Sequence, residues 1–423
     1  MRTHHLSSVL LITALLVGLA GTVARDAGPA LGLQPTLASQ PASPPVAQPA
    51  GVPAEYADLY PMLAAKLRAI DSYITSGSRG ERHDTLFSAE LLAANSNQGE
   101  TLLRPQAWQV VMLNLDRLQL VGVRGVKVAI KYPILVPGFP RSADYLEFFK
   151  RLSAELKRRN LKFLAQMTPG FRDPVFSSLP VAGYYTGLTL ERYMRETRQM
   201  AEVIIREIRP DYLTIVNEPH TAQENTGLSF TVGNFTGVVQ HALNGLDRAG
   251  VLVGAGAGTW DDLAYAQGLA RTTLDYLDMH IYPINQDYVV DKAIRFADIA
   301  RRANKKVVLG EAWLYKTRDH DLRGQAVAAA PALFARDVFS FWEPLDVEFI
   351  VIMGKLSHFL NIDFTSFFWS RHFYGYVEYG ETTKGLRPAE LFRQANLVAA
   401  RNMMADPPQP TRTGMAFQRL VTR

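Results

Sequence analysis

Residues 211–219 read DYLTIVNEP, and residues 305–313 read KKVVLGEAW. Each is a short apolar, β-branched run that ends abruptly at a glutamate, Glu218 in the first and Glu311 in the second. Runs of this length, bounded by polar residues, have the form of buried strands. Outward from these two, the same kind of run recurs at 84–95 (DTLFSAELLAAN), 125–133 (GVKVAIKYP), 161–167 (LKFLAQM), 251–258 (VLVGAGAG), 274–283 (LDYLDMHIYP) and 347–354 (VEFIVIMG). Amphipathic stretches at 55–73, 105–120, 142–159, 190–208, 234–249, 288–303 and 326–341 predict helices between them. Strands that alternate with helices imply parallel strands joined by crossovers. Eight of them predict an α/β fold of the closed (β/α)8 TIM-barrel type. The segments RRNLKFL, RPDYLTI and RANKKVVL repeat one pattern, a basic helix end turning into a strand. An open doubly wound sheet would carry a glycine-rich phosphate loop after its first strand, and that loop is missing.

The N-terminal residues predict export. Arg2 precedes an apolar run over residues 9–20, followed by the small residues Gly21, Thr22 and Ala24, which is the pattern of a secretory signal peptide. The same run also reads as an uncleaved N-terminal anchor, and either reading places the remainder in a secreted or periplasmic setting. Residues 25–54 are rich in Pro, Ala, Gln and Ser and read as a disordered linker. The expected plan is therefore signal peptide or anchor over 1–24, linker over 25–54 and barrel over 55–423. The chain has no cysteine, which excludes disulfides, thiol nucleophiles and thiolate metal sites. Its 45 Lys and Arg against 40 Asp and Glu leave a small net charge of +5 with no basic tract, which argues against a nucleic-acid partner. A monomer is expected, with no membrane contact beyond the possible anchor.

In a barrel of this kind, functional groups stand at the C-terminal ends of strands. An acid closing an apolar strand must face the barrel mouth or be buried without a partner, and unpaired burial is costly. Glu218 and Glu311 lie 93 residues apart (311 − 218), or three βα units of about 31 residues, which puts them on the fourth and seventh strands. Strands so placed lie on roughly opposite sides of the barrel, so their side chains can face each other. Two facing carboxylates suit cleavage of a glycosidic bond, one protonating the leaving oxygen and the other attacking the anomeric carbon. Along DMHIYP, strand alternation places Asp278, His280 and Tyr282 on one face. No metal-ligand spacing is legible, no cofactor is expected, and no Gly-x-Ser-x-Gly elbow is present.

Asn217-Glu218-Pro219 closing the fourth strand, Glu311 closing the seventh and His280-x-Tyr282 on the sixth resemble the clan A glycoside hydrolases. These are retaining enzymes, and the likeness is to the family 5 and endo-β-1,4-galactanase-like branches, over residues 84–354. The resemblance implies a carbohydrate substrate, Glu218 as general acid/base and Glu311 as nucleophile. It also implies that Asn217 binds the sugar 2-hydroxyl, that His280 and Tyr282 flank the glutamates, with Tyr282 donating to Glu311, and that Trp313 is a sugar platform. Retention implies carboxyl groups roughly 5–5.5 Å apart. The chain departs from the pattern on the second strand, where relatives carry an Arg and this chain presents Lys127, Ala129 and Lys131. It departs again on the third, which offers Gln166 in place of a His, and on the eighth, where Met353, Gly354 and Lys355 stand for a Trp. Lys131 is taken as substrate-binding. Plainer readings stand beside these: Glu218 capping a turn, Glu311 in a structural ion pair, His280 as a core residue, Trp313 and Trp369 as packing. Two other functions share the site, a catalytically inactive carbohydrate-binding barrel and a transglycosylase.

Overall fold

The computed structural model describes residues 51–77, 84–282, 287–318, 321 and 330–422. The run at 9–20, nearly all of the linker and part of the stretch at 326–341 lie outside the described residues. Among the described residues no helix is long and apolar enough to cross a membrane.

Eight strands close a barrel in chain order: β1 (Leu86–Glu90), β2 (Gly125–Ala129), β3 (Lys162–Gln166), β4 (Tyr212–Thr214), β5 (Leu252–Gly258), β6 (Tyr276–Ile281), β7 (Lys306–Ala312) and β8 (Phe364–Phe367). Each pairs in parallel with the next, and β8 pairs with β1. Helices including Pro105–Leu120, Ser142–Arg158, Leu190–Val203 and Val232–Leu243 return the chain from one strand to the next. Two local signals start them. Pro105 opens the first, where its missing N–H costs nothing, and the Thr189 hydroxyl caps the third by accepting from Arg192 N.

The eighth strand is not where the sequence reading placed it. Residues 347–354 lie inside the helix Glu343–Phe359, and the strand is the short FTSF at Phe364–Phe367. A continuous apolar run does not by itself distinguish a buried helix from a buried strand. The burial settles it: Leu345, Phe349, Met353 and Leu356 repeat at helical spacing, while Val351 between them is exposed. This helix is apolar on more than one side because three elements cover it. The barrel lies on one side, where the Ser357 hydroxyl is 2.8 Å from that of Thr365 on β8, Leu59–Ser76 on a second, and Arg412–Val421 on a third, where Leu420 approaches Gly354 so closely that a Cβ there would lie 2.4 Å from it.

Inside the barrel, Leu164, Tyr276, Val308 and Phe364 form an apolar plug, with Leu86, Tyr212 and Leu252 packed against it. Above the plug the interior turns polar, with Ser88, Lys127, Gln166, Thr214 and Asp278 all buried. β5 makes room for this layer by presenting glycines. A Cβ on Gly254 would lie 2.2 Å from the Tyr276 ring, and one on Gly256 would lie 1.6 Å from the Asp278 carbonyl oxygen.

Candidate active site

Glu311 reaches the mouth through a bulge. On β7, Val308 belongs to the interior plug, so strict alternation would point Gly310 inward and Glu311 outward. The register shifts instead, with Met279 opposite Leu309 but His280 opposite Glu311, so that Gly310 is the extra residue. A bulge of this kind re-aims the side chain that follows it. Only glycine fits there, because Gly310 N donates to Asp278 Oδ1 at 2.8 Å and a Cβ would lie 2.4 Å from the same oxygen.

Glu218 arrives by a different route. Its backbone is left-handed, with φ 50° and ψ 73°, a conformation costly for a residue with a Cβ. The Asn217 side chain compensates in part, its Oδ1 accepting from Glu218 N at 2.7 Å, and Pro219 then opens the helix Pro219–Thr226. The turn aims the carboxylate into the mouth, where Oε1 meets His280 Nδ1 at 2.6 Å.

Glu218, His280 and Glu311 each bring one ligand-type atom within 4.8 Å of the others. A carboxylate oxygen of Glu218 therefore lies within that distance of one of Glu311. The spacing is small enough for a cation, a convergence that the sequence, with no ligand pattern, did not reveal. The surroundings oppose that use. Lys127 Nζ already forms an ion pair with Glu311 Oε1, and a dication beside it would set two cations against each other.

Glu311 is held as a carboxylate. Burial disfavours its charge, but Lys127, His280 and Lys131 outweigh burial and bring its pKa down to about 2. The Tyr282 hydroxyl donates to Oε2. Lys127 is completely buried and contacts a further carboxylate, Glu90 Oε2, at 2.7 Å. His280 is nearly inaccessible. Burial opposes its positive charge, while Glu311, Asp278 and Glu218 favour it and push the pKa up to about 10. A charged ring needs an acceptor at Nε2, which faces Gln166 Nε2 at 2.8 Å and Asn217 Nδ2 at 3.0 Å. Turning the Gln166 amide supplies one, since its Oε1 has no other partner.

The remaining expected site residues divide. Asn217 is in the cluster but buried, its Oδ1 accepting from Glu218 N and its Nδ2 donating to the Asp278 carbonyl oxygen at 3.4 Å. Lys131 stands at the mouth beyond β2, its Nζ donating to Thr168 Oγ1 and lying 5.0 Å from the centre of the Phe171 ring, with burial lowering its pKa. Trp313 is not a platform. It is fully buried, stacked on His372 at 5.5 Å and against Phe349, so no face is open to a sugar. The residues placed at the end of the eighth strand also change. Phe368 and Trp369 follow β8, while Met353, Gly354 and Lys355 are helical. Phe368 packs edge-on to Tyr282, and half-buried Trp369 packs against Phe368.

Sequence reasoning missed three groups here. Trp260, half-buried just past β5, folds back over Gly258 and packs against Tyr282. Buried Asp261 pairs with His220 Nδ1, which fixes the ring and raises the His220 pKa, and also accepts from Gly258 N at 2.7 Å. Glu90 closes β1 as Glu311 nearly closes β7, and the end-of-strand rule applied to LFSAE would have found it.

No family model matches the chain, and no curated protein does. Among solved structures it is similar to a GH5_18 variant from Streptomyces cattleya in complex with Manb1-4GlcNAc, at 14% identity over 80% of each chain with a TM-score of 0.48. It is also similar to a beta-glucosidase from Thermotoga maritima in complex with glucoimidazole, at 10% identity over 69% of this chain and 89% of that one, with a TM-score of 0.46. A third is the GH53 catalytic domain of Ignisphaera aggregans, at 14% identity over 71% and 88%, with a TM-score of 0.43. At these identities and scores the likeness is one of architecture, and no reaction passes from those proteins to this chain.

Proposed function

We propose that this chain hydrolyses a β-glycosidic bond with net retention of configuration, Glu311 serving as nucleophile and Glu218 as general acid/base. The observation that carries this reading is the approach of the two carboxylates, with oxygens within 4.8 Å across the mouth of the barrel. That approach suits the roughly 5–5.5 Å between carboxyl groups that double displacement needs better than the roughly 6.5–9.5 Å of an inverting site. Their surroundings also differ. Glu311 is surrounded by Lys127, Lys131 and His280 and stays ionised. Glu218 gives Oε1 to His280, and its other oxygen accepts no hydrogen bond from the described residues, which leaves it for the leaving group.

In the first step a Glu311 oxygen attacks the anomeric carbon while Glu218 passes its proton to the departing oxygen. A glycosyl ester on Glu311 results. In the second step Glu218 takes a proton from water, the hydroxide attacks the anomeric carbon, and the Glu311 carboxylate leaves. Trp260, half-buried beside Tyr282, is the indole placed to meet the apolar face of a sugar, whereas Trp369 already carries Arg371 at 4.3 Å over its ring and stacks on Phe392. The substrate is a β-linked poly- or oligosaccharide, and the enzyme acts as an exported monomer.

The test is the anomer first released from a β-linked substrate, followed by proton NMR before mutarotation. The β-anomer is expected. The α-anomer, or an absence of turnover in a protein that binds glycans, would contradict the reading, and sugar–sugar products with an added acceptor would identify a transglycosylase.

A further inference from the structure

Glu90 takes no part in the double displacement proposed above. Glu90 and Lys127 are register partners on β1 and β2, and both are completely buried. Lys127 Nζ touches Glu90 Oε2 at 2.7 Å on one side and Glu311 Oε1 on the other, and lies 5.2 Å from the centre of the Phe368 ring. Glu90 cannot swing away easily, because its Oε1 accepts from Asn95 Nδ2 at 2.9 Å, and the Asn95 Oδ1 in turn accepts from Asn97 N. One ammonium is thus held between a fixed carboxylate and the reactive one.

The two carboxylates differ in what happens to their charge. When Glu311 becomes an ester it loses its charge, and a buried lysine whose only partner was Glu311 would be left uncompensated, a costly state. Glu90 forms no bond to the sugar; burial and the neighbouring Glu311 charge raise its pKa against the pull of Lys127, and esterification of Glu311 removes that repulsion and so favours the ionised Glu90 beside Lys127. We infer that Glu90 is the counter-ion on which Lys127 falls back when Glu311 is esterified, so that it lowers the cost of forming the glycosyl–enzyme and restrains its breakdown. This rests on Glu311 being the nucleophile. Glu90 touches no substrate and acts through Lys127, as a positioning residue. Burial works against the ammonium, but Glu311 and Glu90 outweigh it and push its pKa up to about 12, so the charge that has to be shared persists at any working pH.

The pairing makes the two half-reactions respond in opposite senses. With Glu90→Gln, Lys127 has Glu311 as its sole ionic partner. Attack is then opposed, because it strands the ammonium, and expulsion of the carboxylate from the ester is favoured, because it restores the pair. The experiment measures two rates with a 2-deoxy-2-fluoro β-glycoside that traps the wild-type protein: the rate of trapping, and the rate at which the isolated trapped protein recovers in the presence of an acceptor. Glu90→Gln is expected to slow trapping and to speed recovery, each by about tenfold. Lys127→Met is expected to slow recovery, since the departing carboxylate no longer meets an ammonium. In the Lys127→Met background, Glu90→Gln should no longer speed recovery.

If Glu90→Gln does not fold, Glu90→Asp keeps the charge at a longer reach and should move both rates in the same senses by less. Trapping and recovery that fall together, or that do not change, in whichever Glu90 variant folds would overturn the inference, because a merely structural role has no means of accelerating one half-reaction. A wild-type protein that no reagent traps would instead count against Glu311 as nucleophile, which is a separate failure.

Discussion

His280 is the residue on which the charges of the site converge, with Glu218 and Glu311 on one ring nitrogen and the Asp278 carboxylate 3.8 Å from the other. Its pKa rises from 6.5 to about 10 on folding. A group raised in this way contributes stability that is fully present below pH 6.5 and is lost as pH climbs through 10. The melting temperature of the wild type is therefore expected to fall between those limits by at least about 3 °C more than that of His280→Gln. Equal slopes in a calorimetric titration would mean that the ring is neutral when folded. At this scale, Glu218 and Glu311 were legible because each ends an apolar strand where an acid has no structural reason to be. The Lys127 contact was only half legible. Its charge could be read, but the partner Glu90 lies on another strand, and neighbours in a parallel sheet are separated by a helix in the sequence. Trp313 misled for a related reason. Its position two residues past Glu311 suggested the mouth, whereas the chain beyond β8 brings His372 over its ring.

Among the elements, β5, β7 and β8 carry the least obvious information. The glycines of VLVGAGAG look like weak strand residues, yet each of Gly254, Gly256 and Gly258 admits a neighbour that a methyl group would displace. Gly310 does the same for Asp278 and also turns Glu311 inward. Gly310→Ala is expected to cost about 2–4 kcal/mol in stability, because the clash is with a buried carboxylate that also holds the bulge. It should also lower kcat/KM by at least about tenfold, because the bulge sets the aim of Glu311. Urea unfolding and steady-state kinetics on the purified variant measure the two. Wild-type stability with reduced activity would place the strain elsewhere. β8 shows where periodicity stops being decisive. A four-residue strand leaves almost no pattern, and a neighbouring apolar helix covered by three other elements supplies a stronger one.

For the molecule as a whole, the barrel was readable from the order of its units without any single strand being certain. Misplacing β8 left the topology unchanged, because seven other βα units still required closure. The polarity of the interior was not readable in the same way. An apolar plug below and a charged layer above emerge only when inward positions from eight strands are set beside one another. In the proposed mechanism that layering holds the nucleophile, its cation and its acid partner on a rigid floor, so that little reorganisation is left for the reaction itself.

Glu311 as nucleophile is tested most directly by intact-protein mass spectrometry after incubation with 2-deoxy-2-fluoro β-glycosides of gluco, galacto, manno and xylo configuration, followed by peptide mapping. One added fluoro-sugar is expected on the peptide that contains Glu311, and none on Glu311→Gln. A label on any other residue, or no label from any of the four in a protein that still binds glycans, would contradict it.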